Sequence, residues 1–406
     1  MVIADKPNAQ TPLESNPNAW RAATPGHEGW TRTAQPDDPN KYYIVSADCH
    51  GQEPADLWAK RIEPEYRHRI PRQEVDEGGT KWSVTEGHRP IKIRDLKLEG
   101  EDEERNGAGY VVDERLRDMD RDGIDVELIF PNKGLSMWAT PDAVFSQAMC
   151  RVWNDWSIEQ YGQNRDRMVP VAAIAPNDLK GAIAEVKRAA NMGHRALSLP
   201  NRPVWGPGDG SELNYNMPHF DDLWAAIQDA DLPITLHIST GKDPRGARGN
   251  GGAIINYAVH SLSQSLEPVA NFCSSGVLEK FPKLRVATIE AGIGWVPWAL
   301  TAMDEAYHKH HMWSFPKLQM LPSEHYRNSF FASFGEDPPG LALAQEFDLM
   351  GNYMWANDYP HQEGTWPHSA AAIERTMGDL TDEDRAKLLG LNAARFLNIE
   401  VPPAKR

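Results

Sequence analysis

Eight short apolar runs punctuate the chain, each ending in polar or glycine residues and each followed by a stretch with helical spacing. They are Tyr42–Ala47, Asp125–Phe130, Val169–Ala175, Arg195–Leu199, Pro233–Ile238, Leu284–Ile289, Phe330–Phe334 and Tyr353–Ala356. Their near-continuous hydrophobicity is what strands covered on both faces of a parallel sheet require. The segments between them can carry right-handed helical crossovers; in Leu179–Met192, for instance, Ile183, Val186 and Ala190 share one helical face. The alternation predicts an α/β fold, a closed (β/α)8 TIM barrel. An open doubly wound sheet is the alternative, but its G-x-G-x-x-G signature is missing after the first run, where A-D-C-H-G-Q-E-P stands. Near the end, Thr381 with Asp384 three residues on marks the start of a helix over A-K-L-L-G-L-N-A-A-R-F-L.

Around this frame the sequence predicts an N-terminal arm over 1–40, rich in Pro, Asn, Thr and Asp, and a barrel over 41–400. A charged, Gly-rich insertion over 52–110 follows the first strand and is expected over the barrel mouth, because loops after strands lie on the catalytic face. The segment T-G-K-D-P-R-G-A-R-G-N-G-G (240–252) departs from G-x-x-x-x-G-K-[ST] and is no phosphate-cradling loop. With 42 Lys+Arg against 58 Asp+Glu, the formal charge of −16 argues against a nucleic-acid partner. No apolar run is long enough to span a bilayer and the first residues lack a secretory pattern, which leads us to expect a cytoplasmic protein without a membrane partner. Cys49, Cys150 and Cys273 form no C-x-x-C pair. The arm carries Trp20 and Trp30, large rings that need a groove; this predicts a homo-oligomer in which the arm contributes to the contact.

Catalytic residues of such a barrel come from the C-terminal ends of its strands. The first strand ends with Asp48 and His50, two apart and therefore on the same side of an extended chain. The fifth ends at His237, and the eighth leads into Asp358 in W-A-N-D-Y-P-H. Singly each has an ordinary explanation: a hydrogen-bonded core histidine, or an aspartate that forms a turn. Together they form an O/N donor set for one divalent cation, Zn, Mn or Fe.

Several motifs resemble the amidohydrolase superfamily, in particular its branch of amidohydrolase-related decarboxylases and hydrolases of small ring compounds. They are A-D-C-H, R-L-R-D-M-D-R-D-G-I-D-V-E-L-I-F-P, F-D-D-L-W-A-A with L-P-I-T-L-H-I-S-T-G, E-A-G-I-G-W-V-P-W and N-D-Y-P-H-Q-E-G-T-W-P, and the resemblance runs from about residue 43 to 397. It implies that Asp48-x-His50 stands for the family's metal-binding H-x-H, His237 for its strand-5 histidine and Asp358 for its strand-8 aspartate. Two departures matter. Ser198-Leu199-Pro200 stands where binuclear members bridge two metals, so one metal is expected, and Glu290 stands near the position of a strand-6 histidine.

A bound cation lowers the pKa of its water from about 15.7 toward about 7. The expected activity is therefore hydrolysis of a C–N or comparable bond in a small cyclic or aromatic substrate, with Asp358 as ligand and general base. Glu290 is a second candidate base, or an acid that orients a ligand histidine. His361 is a candidate for contact with substrate or leaving group, or a loop-stabilising imidazole. Trp138, Trp295, Trp298 and Trp366 are candidates for the wall of a ring-binding pocket, or core. The alternatives are a metal-dependent non-oxidative decarboxylase of an aromatic or unsaturated acid, built on the same cage, and a non-catalytic ligand-binding barrel.

Overall fold

A computed structural model of the chain describes residues 17–88, 90–93, 96–203, 213–240 and 250–403. The first 16 residues of the arm and residues 241–249 of the Gly-rich segment lie outside the described residues. In chain order the strands are β1 Val45–His50, β2 Arg72–Val75, β3 Lys81–Val84, β4 Ile91–Lys92, β5 Val126–Phe130, β6 Met168–Pro170, β7 Ala172–Ala173, β8 Leu197–Leu199, β9 Ile234–His237, β10 Val286–Ile289, β11 Phe330–Phe334 and β12 Tyr353–Trp355.

Apart from β2 to β4 these strands pair in parallel, β1 with β5 and β5 with β6, then β7 through β12 in succession. The β6 and β7 segments are two halves of the third barrel strand, interrupted at Val171, whose N–H still reaches the Ile129 carbonyl at 3.0 Å. The ring closes where the chain leaves β12: Cys49 bridges in parallel to Tyr359, the Asp358 N–H donates to the Asp48 carbonyl at 3.0 Å, and the His50 N–H donates to the Tyr359 carbonyl at 2.7 Å. The architecture is the (β/α)8 TIM barrel expected from the sequence.

Every barrel-strand residue is buried. Alternation sorts them into two cores: Val45, Ala47, Val126, Leu128, Phe130 and Ile289 fill the barrel interior, while Ile129 and Leu236 pack outward beneath the helices. The first strand lies about three residues later than its apolar run suggests, so Asp48, Cys49 and His50 belong to the strand itself. The register between β1 and β5 shifts between Ser46 and Cys49.

The 52–110 insertion contains a sheet the sequence did not announce, the antiparallel β2-β3-β4. All four residues of β2 are exposed, so it has no apolar face to read. Its hairpin is set by Asp76, whose carboxylate accepts from the N–H groups of Gly78 and Thr80 at 2.9 and 2.8 Å. Further on, the helix Glu101–Gly107 meets the loop after β12: Arg105 donates to the Gly364 carbonyl at 3.2 Å, Gln362 to the Asp102 carbonyl at 3.1 Å, and His368 pairs with Glu101 at 2.9 Å.

The described part of the arm bonds to helices and to the loop after β12 of its own barrel. Arg21 donates to the carbonyls of Gly364 and Gln362, His27 and Gln35 both reach Glu374 at 2.8 Å, and Trp30 lies under the Arg385 guanidinium at 3.7 Å. Thr381 caps its helix as expected, accepting from the Asp384 N–H at 3.1 Å. No helix among the described residues is long and apolar enough to cross a membrane.

Candidate metal centre

The residues singled out by sequence come together at the C-terminal end of the barrel. His50 and His237 are the last residues of β1 and β9, Glu290 directly follows β10, and Asp358 lies three residues beyond β12. The Nδ1 of His50 faces the Pro131 carbonyl at 3.0 Å, and that of His237 faces the Ile238 carbonyl at 2.7 Å. A proton on each Nδ1 satisfies those carbonyls and leaves both Nε2 lone pairs for the centre. His237 Nε2 is 3.3 Å from Asp48 and 3.5 Å from Glu290; His50 Nε2 is 3.5 Å from Asp48 and 3.4 Å from Asp358. His361 stacks on His50 with ring centroids 3.9 Å apart and holds Asp358 Oδ1 at 3.1 Å.

Two overlapping donor groups result, Asp48, His50, His237 and Glu290 on one side and His50, Glu290, Asp358 and His361 on the other, each with its ligand atoms within 4.8 Å of one another. His50 Nε2 is buried without a conventional hydrogen-bond partner, which is costly unless something else satisfies it. Two imidazoles and several carboxylate oxygens converging on one point fit a divalent cation of the Zn, Mn or Fe type.

The electrostatics agree. Burial, together with the Asp358, Asp48 and Glu363 carboxylates, pushes the Glu290 carboxyl well above its ordinary range. Burial, and next the charge of His361, drives His50 well below the usual histidine value despite the pull of Asp48, and so favours its neutral form. Burial opposes charge on His361 too, but its bond to Asp358 and the charges of Asp358, Glu363 and Asp48 outweigh it and push it up to about 9. Acid crowding of this kind is relieved by a bound cation.

Backbone geometry marks the same place. Ser239, Glu290 and Asp358 have φ of 62, 59 and 52°, the left-handed region that non-glycine residues adopt at a cost of about 1–3 kcal/mol. Gly364 must be glycine, because a Cβ there would come within 2.4 Å of the Asn357 carbonyl oxygen and 2.7 Å of that of Asp358. A cavity of about 570 Å³ opens beside the cluster, walled by Asp48, Glu290, Asp358 and Glu363 with Tyr257 and Trp295 among its aromatics.

The structure thus brings together all six sequence candidates, Asp48, His50, His237, Glu290, Asp358 and His361. It places Glu290 among the donors of the first group, a position for which the sequence pattern gave only proximity. Of the four tryptophans, Trp295 alone is on the cavity wall. Trp138 is core, donating to the Ile174 carbonyl at 2.7 Å; Trp366 is buried against Tyr359 with centroids 5.2 Å apart; Trp298 faces outward. Glu363 and Tyr257 were missed. Glu363 had a signal, two residues after His361 in the same strand-8 loop, whereas Tyr257 arrives on a helix far from any strand end.

A family model described as Amidohydrolase matches residues 47–399, and the chain belongs to that family. Among curated proteins it is similar to a gamma-resorcylate decarboxylase of Rhizobium sp. (strain MTP-10005), 25% identical over 200 residues, which are 48% of this chain and 59% of that protein. The match therefore spans under two thirds of that relative. Among solved structures it resembles an amidohydrolase from Mycobacterium avium subsp. paratuberculosis K-10, with a TM-score of 0.71 and 20% identity over 89% of this chain and 99% of the other. It also resembles a dihydroxybenzoic acid decarboxylase from Polaromonas sp. JS666 that holds manganese and the inhibitor 2-nitroresorcinol, with a TM-score of 0.60 and 17% identity over 89% and 99% of the two chains.

Proposed function

We propose that this protein is a metal-dependent, non-oxidative decarboxylase of a small aromatic acid, with manganese as its first candidate ion. The observation that carries this reading is the His361–Asp358 pair, 3.1 Å apart, set against the donor group of Asp48, His50, His237 and Glu290, with Asp48, Glu290 and Asp358 themselves on the wall of the cavity. Loss of carbon dioxide from a ring requires an acid to protonate the carbon that carries the carboxylate, and a cation that holds the carboxylate orients it for that step. Asp48, His50, His237 and Glu290, with Asp358 from the overlapping group, would hold the ion, which would supply charge neutralisation for the acid group of the substrate. His361, whose bond to Asp358 favours its charged form, hands its proton through Asp358 to the ring carbon. The electron pair of the breaking C–C bond returns to the ring as carbon dioxide departs, and His361, partly open to solvent, is reprotonated.

Hydrolysis, the first expectation from the sequence, would use the same cage with Asp358 accepting a proton rather than delivering one. The decarboxylase names of the similar proteins favour delivery. The test is to incubate manganese-loaded protein with a panel of hydroxybenzoic acids. Carbon dioxide and the corresponding phenol are expected; hydrolysis of amides or lactones without carbon dioxide would replace this reading with the other.

A further inference from the structure

The motif R-L-R-D-M-D-R-D-G (115–123) supplies no donor to the centre, yet three of its side chains reach the two strand ends that do. The helix Val112–Asp122 places Arg115, Asp118 and Asp122 on one face at i, i+3 and i+7. Arg115 is fully buried and donates to the His50 carbonyl at 2.6 Å, with its guanidinium 4.9 Å from the centroid of the Tyr359 ring. Asp118 accepts from the Tyr359 hydroxyl at 2.6 Å. Asp122 accepts from the Asn357 amide at 3.0 Å and from Ser369 through its N–H and hydroxyl at 3.1 and 2.5 Å. Asn357 in turn accepts from the Ser46 hydroxyl of β1 at 2.8 Å.

Both neighbours of Asp358 are thus pinned by side chain to one helix, and the residue between them is held at a φ of 52°. A left-handed aspartate is not the backbone's own preference, so its surroundings must impose it. We infer that Arg115, Asp118 and Asp122 form a positioning face that holds Asp358 and His50 in register across the closure of the barrel, and so sets the ion affinity of the centre. The inference rests on the metal-centre reading but not on which reaction the centre catalyses.

The Tyr359–Asp118 bond is the contact to cut, because Tyr359→Phe keeps the ring that Arg115 covers. In the full chain, manganese dissociation constants from paramagnetic resonance titration should rise about 10-fold in Tyr359→Phe and equally in Asp118→Ala, the size usual for groups that orient metal ligands. The double variant should be no worse than either single one, since the two remove one interaction. Asp118→Asn, whose amide oxygen still accepts from the hydroxyl, should stay near wild type. Wild-type affinity in both Tyr359→Phe and Asp118→Ala, even with a lowered melting temperature, would overturn the proposal and leave the face a purely structural one. So would additive losses, or an Asp118→Asn variant as weak as Asp118→Ala. A wild-type chain that bound no divalent ion would overturn the metal-centre reading and this proposal with it.

Discussion

Glu127→Gln should destabilise the protein more than any surface charge change, and the size follows from the geometry. Glu127 and Arg115 are 2.6 Å apart and both essentially inaccessible to solvent. The substitution leaves a buried guanidinium without its counter-charge, at a cost of about 3–5 kcal/mol. A chain of 406 residues unfolds with an entropy of roughly 0.85 kcal/mol per kelvin, taking about 2.1 cal/mol/K per residue, so the melting temperature should fall by about 4–6 °C. Scanning calorimetry on ion-free protein reads this directly. The double variant Arg115→Met/Glu127→Leu should recover most of the loss, because an apolar pair of similar volume carries no desolvation penalty. Its ion affinity should nonetheless fall, since replacing Arg115 removes the donor to the His50 carbonyl that Glu127→Gln leaves in place. A drop below about 1 °C in Glu127→Gln, or a double variant less stable than the single one, would refute the reasoning.

Gly364→Ala should weaken ion binding and turnover together, because the added Cβ lands within 2.7 Å of the Asp358 carbonyl oxygen and must displace the strand-8 loop; unchanged ion affinity in a titration would contradict this. Asp122 provides a pH signature. Burial raises its carboxyl from 3.8 to about 6 against the bonds from Ser369 and Asn357, so the folded state takes up a proton that the unfolded chain releases. That contribution is fully present below pH 3.8 and is lost as pH rises through about 6. Asp122→Asn should remove this fall, so a wild-type and a variant melting temperature that run parallel from pH 4 to 7 would count against it.

The barrel was legible because its strands are buried on both faces, which writes them as apolar runs; the candidate donors were legible because a barrel's chemistry sits at strand ends. His50 and His237 needed nothing more than that rule. Glu290 was harder, since a residue one step past β10 is turned inward only by its left-handed backbone, which no local pattern announces. The β2-β3-β4 sheet escaped because hydrogen bonding and the Asp76 turn hold it, not an apolar face. The seat of the described arm was equally hidden: Glu374 and Arg385 are far along the chain, and only the folded barrel brings them to His27 and Trp30. The helix face of Arg115, Asp118 and Asp122 reads in sequence as ordinary charge, and its role emerges from partners such as Tyr359, 241 residues from Asp118.

The proposed reaction delivers a proton to a ring carbon as carbon dioxide leaves. Running the manganese-loaded protein on a hydroxybenzoic acid in deuterium oxide, with product analysis by proton resonance and mass spectrometry, tests that step itself. The account predicts one deuteron in the product, at the carbon that carried the carboxylate, in one-to-one ratio with carbon dioxide, and none with His237→Ala. A product that keeps its carboxylate, or carbon dioxide release at the same rate from the His237→Ala protein, would contradict it.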